Sequence, residues 1–255
     1  MYSGGLRYDV IQGLWIGPAL SAMERLSLAS FLACGHEVHL HTYGAVDGVP
    51  SGVVLRDAAE ILPASAIFHY REHATSAGFA NFFRYKLLLE RGGWWVDLDV
   101  VCLAPFDFPG EHVFAGEPAG EGRMATNAVI KAPAGSAAMA RAWEVCRSKD
   151  PRALGWGETG PRLLTALVSE LALEHAIQPP EVFCPLHYDR WDDALDPAFV
   201  ADFGPATRAV HLWNEMWRRE GRSKDERYPP GCLYERLKAR YLPNSSNAAA
   251  HSSRK

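Results

Sequence analysis

The run Trp94-Trp95-Val96-Asp97-Leu98-Asp99 places two carboxylates two residues apart at the end of an apolar segment. Acids held this close repel one another unless a cation lies between them. A hard divalent ion such as Mn²⁺ or Mg²⁺ takes oxygen ligands and can bridge to phosphate oxygens. There it offsets the charge that grows on a departing diphosphate. The same two acids also suit an ordinary surface strand end, so their surroundings must decide.

The preceding segment, Thr75 to Arg91, reads as a helix that ends at Gly92-Gly93. At 100° per residue Lys86 and Glu90 share the solvated face, while Asn81, Arg84 and Leu88 fall on the opposite side. An arginine turned inward needs an anionic partner. An internal acid would satisfy it, and so would a bound phosphate or ribose hydroxyl. The acidic pair is only a short strand away, which favours ligand binding.

The block Phe79-Ala80-Asn81-Phe82-Phe83-Arg84-Tyr85, Leu87-Leu88 and Gly92-Gly93-Trp94-Trp95-Val96-Asp97-Leu98-Asp99 resembles the DXD sugar-binding region of family 32-like glycosyltransferases. That group includes yeast-type mannosyltransferases and α-1,4-galactosyltransferase-like proteins, and it is related to the clostridial glucosylating toxins. Leu14-Trp15-Ile16-Gly17 is similar to the family's N-terminal segment, and Ala209-Val210-His211-Leu212-Trp213-Asn214 with Leu237 to Pro243 is similar to its C-terminal region. The resemblance implies a retaining transferase that moves a hexose from a nucleotide-sugar, UDP-linked rather than GDP-linked, to a glycan, lipid-linked or other hydroxyl acceptor. It implies Mn²⁺ or Mg²⁺ held by Asp97, Asp99 and His211. Trp15, Ile16, Gly17, Asn81, Arg84, Trp95 and Asp97 would bind the donor. Arg84, Asp97, Asn127 and Glu158 would stand at the reacting centre. The chain departs from the family at Asn81, where an acid is common, so the sugar preference does not carry over.

Several of these residues also have plain structural readings. Trp15 suits a core position as well as a base-stacking one. Trp94 and Trp95 point to opposite faces of a strand, so one at most lines a site. Asn127 suits a turn, Glu158 a solvated loop in Trp156-Gly157-Glu158-Thr159-Gly160-Pro161, and His211 a packed core. His39 and His41 share a strand face without a third ligand nearby, which reads as a half-exposed face.

These residues need a scaffold. Val10 to Gly17 reads as a buried strand. Ser21 and Glu24 have capping-box spacing before a helix to Cys34, which Gly35 ends. Glu37–Tyr43 and Val53–Leu55 read as strands, and Asp57 and Glu60 repeat the capping spacing. Trp94 to Leu103 reads as one strand carrying both acids. Strands follow at His112–Ala115 and Ala128–Lys131, and helices at Ser136–Arg147 and Arg162–Glu174. Ala209–Trp213 reads as a short strand or turn. Strand–helix alternation predicts an α/β domain, and with the resemblance a GT-A-like single domain over 1–243. Its sheet would be mostly parallel, Rossmann-type and flanked by helices. The Ser-, Asn- and Ala-rich segment 244–255 reads as a disordered tail.

The 255 residues are 48% hydrophobic and 22% charged, which suits one well-packed domain rather than a disordered chain. A net charge of -4 argues against bulk nucleic-acid binding. Five dispersed cysteines without a CxxC pair argue against a zinc site or a disulfide framework. Met1 to Gly5 carries no signal-peptide pattern and no apolar run is long enough to span a membrane, so a cytoplasmic protein is expected. Two other functions fit parts of the pattern. One is a haloacid-dehalogenase-like phosphohydrolase, whose motif Asp97-Leu98-Asp99 matches but which needs a later acidic pair such as Asp192-Asp193. The other is a binding module that has lost turnover.

Overall fold

The computed structural model describes residues 9–70, 75–120 and 122–242. In chain order it begins with β1 (Ile11–Trp15), α1 (Ala22–Ala33), β2 (Val38–Thr42), β3 (Val54–Asp57), α2 (Ala77–Arg91), β4 (Gly93–Val96) and β5 (Val100–Cys102). There follow β6 (Val113–Ala119), β7 (Gly122–Ala132), α3 (Ala137–Ser148), α4 (Pro161–Glu170), α5 (Pro180–Phe183), β8 (Ala209–His211), α6 (Asn214–Arg219) and α7 (Leu233–Tyr241). The expected α/β architecture, a mostly parallel sheet flanked by helices, is present. Six strands form the sheet in the order β3-β2-β1-β4-β7-β6. β3, β2, β1 and β4 are mutually parallel, and β7 alone runs the other way, antiparallel to both β4 and β6.

Local sequence accounts for much of this. Ser21 opens α1 with a complete capping box, its own N–H donating to the Glu24 carboxylate at 2.8 Å. Gly92 ends α2 at φ 66, where a Cβ would stand 2.5 Å from the Ala134 nitrogen, so only glycine fits. Trp94 and Trp95 leave β4 on opposite faces. Trp95 packs with Phe83 under α2, and Trp94 packs with Phe106, Phe108 and Phe183 on the other side. A third cluster, with Met23, Leu26, Trp217 and Tyr234, ties the C-terminal helices to α1.

The strand expected over Trp94–Leu103 is instead two strands in two sheets. β4 ends at Val96, and β5 pairs antiparallel with β8 in a separate two-stranded sheet. Asp97-Leu98-Asp99 is the link between them, closed by the Val100 N–H donating to the Asp97 carbonyl at 3.0 Å. Leu98 tucks against Gly13 of β1, where a Cβ would lie 2.8 Å from its Cδ2. An apolar run with two acids has the same hydropathy whether or not the backbone changes partner at the acids, so periodicity did not mark the break.

Other boundaries moved as well. The helix signal at Asp57 and Glu60 yields only a 3-10 turn, Ala58–Glu60, with Asp57 accepting from the Ala59 N–H. The strands at His112–Ala115 and Ala128–Lys131 extend towards each other as the hairpin β6–β7. The helix expected to reach Glu174 ends at Glu170. The segment 244–255 and Pro243 lie outside the described residues. Among the described residues no helix is long and apolar enough to cross a membrane.

Candidate active site

The chain leaves β1 towards β2 and β3 and then returns to β4 on the other side of β1. In an open α/β sheet such a reversal leaves a crevice outside the carboxyl ends of the two diverging strands. A pocket of about 580 Å³ lies there. Trp15 and Ile16 follow from the end of β1, Asp97 and Asp99 from the end of β4, and Asn81 and Arg84 face it from α2.

Arg84 is buried at 4% exposure. Its Nη1 lies 3.0 Å from Asp97 Oδ1 and also donates to the Asn127 carbonyl. Nε donates to the Ala80 carbonyl at 3.2 Å, and the guanidinium lies 4.8 Å from the centroid of the Trp95 ring. The Trp95 indole N–H donates to Asp97 Oδ1 at 2.8 Å. The inward arginine therefore has an acidic partner, and that partner is the first acid of the motif. The two readings of Arg84 meet at one position, since a residue that holds Asp97 also lines the pocket.

Asp99 is anchored from the C-terminal part of the chain. β8 pairs with β5 so that His211 lies opposite Val100, and the Leu212 N–H donates to the Asp99 carbonyl at 2.8 Å. Asp99 Oδ2 then accepts from the Asn214 N–H at 2.8 Å and contacts His211 Nε2 at 3.1 Å. Trp213 adopts φ 58, a left-handed turn that lays its ring on His211 with centroids 3.9 Å apart. Burial alone would raise the Asp99 carboxyl, but the His211 charge and these hydrogen bonds hold it below the usual range. Burial would lower the His211 pKa, yet the Asp99 charge and hydrogen bond raise it well above 6.5. The Asp97 carboxyl is pushed up by burial and by Asp99, against the pull of Arg84.

The donor set suits a hard cation in part. Asp97 Oδ2 and Asp99 Oδ1 accept no hydrogen bond from another described residue, which leaves one oxygen on each acid for a metal. His211 Nε2 is engaged with Asp99, and its buried Nδ1 has no hydrogen-bond partner among the described residues. Among the described residues no group of three His, Cys, Asp or Glu side chains is arranged to hold an ion. His211 is placed beside the Asp99 carboxylate, at the edge of the two free oxygens.

The remaining expected residues divide. Asn127 lies inside β7 rather than in a turn, and its Nδ2 donates to Asn81 Oδ1 at 2.6 Å. Asn81 Nδ2 in turn reaches Thr159 Oγ1 at 3.4 Å, bringing the Thr159-Gly160-Pro161 loop to the pocket. Trp95 lines the pocket and Trp94 does not. Trp15 is half-buried at its rim with the Lys224 ammonium 5.6 Å from its ring centroid. Gly17 is behind it, leaving room for the indole, since a Cβ there would stand 3.2 Å from Trp15 Nε1. Glu158 points elsewhere: it pairs with Lys149 at 2.6 Å and accepts from the Gly155 N–H at 3.1 Å. Asp192 and Asp193 lie in a 3-10 helix outside the pocket, with Asp193 paired to Arg190 at 2.6 Å, so they supply no second acidic pair.

The sequence missed other walls of the pocket. Tyr70 and Trp156 meet at a tilt with centroids 5.0 Å apart, Arg219 of α6 lies 5.3 Å from the Trp156 ring centroid, and Tyr188 borders Trp213. Glu24, read as a cap alone, also lines the pocket and pairs with Lys224. These contacts join segments far apart in the chain and have no local signature.

No known protein family and no curated protein matches the chain. Solved structures similar to it include the PaToxG glycosyltransferase, 15% identical over 65% of this chain and 70% of that one, with a TM-score of 0.47. The apo form of glycosyltransferase GlyE of Streptococcus pneumoniae TIGR4 is 13% identical over 92% of this chain and 60% of its own, with a TM-score of 0.48. The bifunctional glycosyltransferase WbbM is 12% identical over 93% and 53%, with a TM-score of 0.43.

Proposed function

We propose that the protein is a glycosyltransferase that takes a hexose from a nucleotide-sugar, UDP-linked by preference, in the presence of Mn²⁺ or Mg²⁺. One observation carries the reading. Two carboxylates occupy the link between two strands at the carboxyl end of the sheet, each fixed by a cationic partner and each with an oxygen to spare. A diphosphate needs that arrangement, because its own charge must be met by a cation that bridges to the protein. When bound, the divalent ion would be held by Asp97 and Asp99 and would supply neutralisation of the leaving diphosphate.

The chain's own residues do the rest. Arg84 fixes Asp97, and His211 with the Asn214 N–H fixes Asp99, so little rearrangement accompanies charge development. Asn81 and Asn127 present amide groups suited to sugar hydroxyls. Trp15 and Ile16 form an apolar wall for the nucleoside. In the transfer, the bond between the anomeric carbon and the diphosphate oxygen breaks and a bond to the acceptor oxygen forms. The acceptor's hydroxyl proton leaves on the departing phosphate. The carboxylates that line the pocket are all engaged: Asp97 with Arg84, Asp99 with His211, Glu24 with Lys224 and Glu215 with Arg218 and Arg219. None stands free as a nucleophile, which supports front-face attack with retention. The test is a screen of nucleotide-sugars for release of nucleoside diphosphate. Release with Mn²⁺ or Mg²⁺ that stops in EDTA is expected, and release unchanged by excess EDTA refutes the role of the acids.

A further inference from the structure

A second cavity, of about 420 Å³, lies beside the starts of β1 and β4 and the C-terminal end of α2. It shares the α2-covered face of the sheet with the larger pocket but none of its lining residues. The register places His41 directly opposite Arg56 on β3, and Gln12 opposite His39, so these side chains share that face. Arg91 from the last turn of α2 completes the wall.

Two groups here lack what their chemistry requires. His41 is 6% exposed, and neither ring nitrogen has a hydrogen-bond partner among the described residues. The Phe83 ring meets it edge-on, at 5.5 Å between centroids. Leaving buried polar atoms unmet is costly, so such a ring calls for a ligand or water. The Arg56 guanidinium has no carboxylate partner among the described residues and reaches only the His39 ring, at 3.4 Å. Of the nearby acids, Asp9 pairs with Lys131 at 2.8 Å and Glu37 with His39 at 2.7 Å, while Glu60 reaches Arg91 at 3.4 Å in an exposed pair that a phosphate would displace.

We infer that this cavity is a second ligand site, built for a small hydroxylated phosphomonoester of sugar-phosphate size. A phosphate fits the guanidinium forks of Arg56 and Arg91 and supplies the missing negative charge. The His41 ring is neutral at pH 7, because burial pushes its pKa down to about 4. A neutral imidazole carries one donor and one acceptor. A fully ionised oxyanion satisfies only the donor, whereas a hydroxyl on the same molecule satisfies the acceptor. The volume exceeds what a bare phosphate fills and matches that of small-molecule pockets.

The inference is independent of the transferase reading and is tested by calorimetry on the full chain. The probes are glucose 6-phosphate, inorganic sulfate and glucose. Glucose 6-phosphate should bind, sulfate about 10-fold more weakly, and glucose not at all. Arg56→Gln, an exposed change that leaves the core intact, should weaken glucose 6-phosphate at least about 10-fold, and His41→Phe should do the same. Both variants should bind UDP with Mn²⁺ as the parent does, which locates the effect away from the larger pocket. Absence of glucose 6-phosphate binding, or equal affinity in Arg56→Gln and the parent, overturns the site. Equal affinity for sulfate and glucose 6-phosphate overturns the assignment of the hydroxyl to His41.

Discussion

Replacing Arg84 by methionine keeps the side-chain stem and removes the guanidinium. The loss would strand Asp97, whose nearest cation lies 3.0 Å away in the parent, and would leave the Asn127 carbonyl without that donor. Breaking a buried pair from one side costs about 3–5 kcal/mol. Asp97 keeps 28% side-chain exposure towards the pocket, so water replaces part of the lost partner and the low end, about 3 kcal/mol, is expected. In a domain of this size that lowers Tm by about 6–12 °C. Adding Asp97→Asn removes the stranded charge and should restore about 1–2 kcal/mol, a coupling typical of residues in direct contact. The assay is urea unfolding, in EDTA, of the parent, both single variants and the double variant. If the double variant loses the sum of what the two single variants lose, the pair is not energetically coupled and Arg84 does not position Asp97. The same variants, titrated with UDP and Mn²⁺, report whether losing the pair also weakens ligand binding. A Tm loss with unchanged UDP affinity would leave Arg84 a structural residue.

Three further outcomes are expected. Asp97→Asn and Asp99→Asn should each lower nucleoside diphosphate release by about 10²-fold or more while circular dichroism stays unchanged; near-parental rates in both would make the link purely structural. His211→Gln should destabilise the metal-free protein by about 2 kcal/mol, since Asp99 loses a buried cationic partner. The sequence by itself suggests no such loss, and an unchanged melting temperature would favour that simpler view. The third concerns pH. The His41 pKa is depressed to about 4 by burial, so the folded state resists a proton that the unfolded chain takes up below about 6.5. This contribution to stability is present above about pH 6.5 and is lost as pH falls towards 4. His41→Phe should remove up to about 1.4 kcal/mol per pH unit of the stability slope in that window, read from urea midpoints between pH 4.5 and 7; an unchanged slope would refute the depressed value.

Much of the scaffold was legible because its causes are local. The capping box at Ser21 and Glu24, the inward face of α2 with Asn81 and Arg84, and the alternation of Trp94 and Trp95 follow from helix and strand periods that any short window carries. The acidic pair was legible for the same reason. What the pair touches was not. The backbone changes sheets at Asp97-Leu98-Asp99 because β8 is there to pair with β5, and His211 meets Asp99 across 112 residues of chain. Glu158 stands close in sequence to the loop that does reach the pocket, yet Lys149 and the Gly155 N–H turn its carboxylate away. His39 and His41 read as one half-exposed strand face, and within it α2 covers His41 with Phe83 while His39 stays partly open. Periodicity fixes which way a side chain leaves its own element. Only the packing of distant elements decides what covers that side chain, which charge stands opposite it, and so what chemistry it can do.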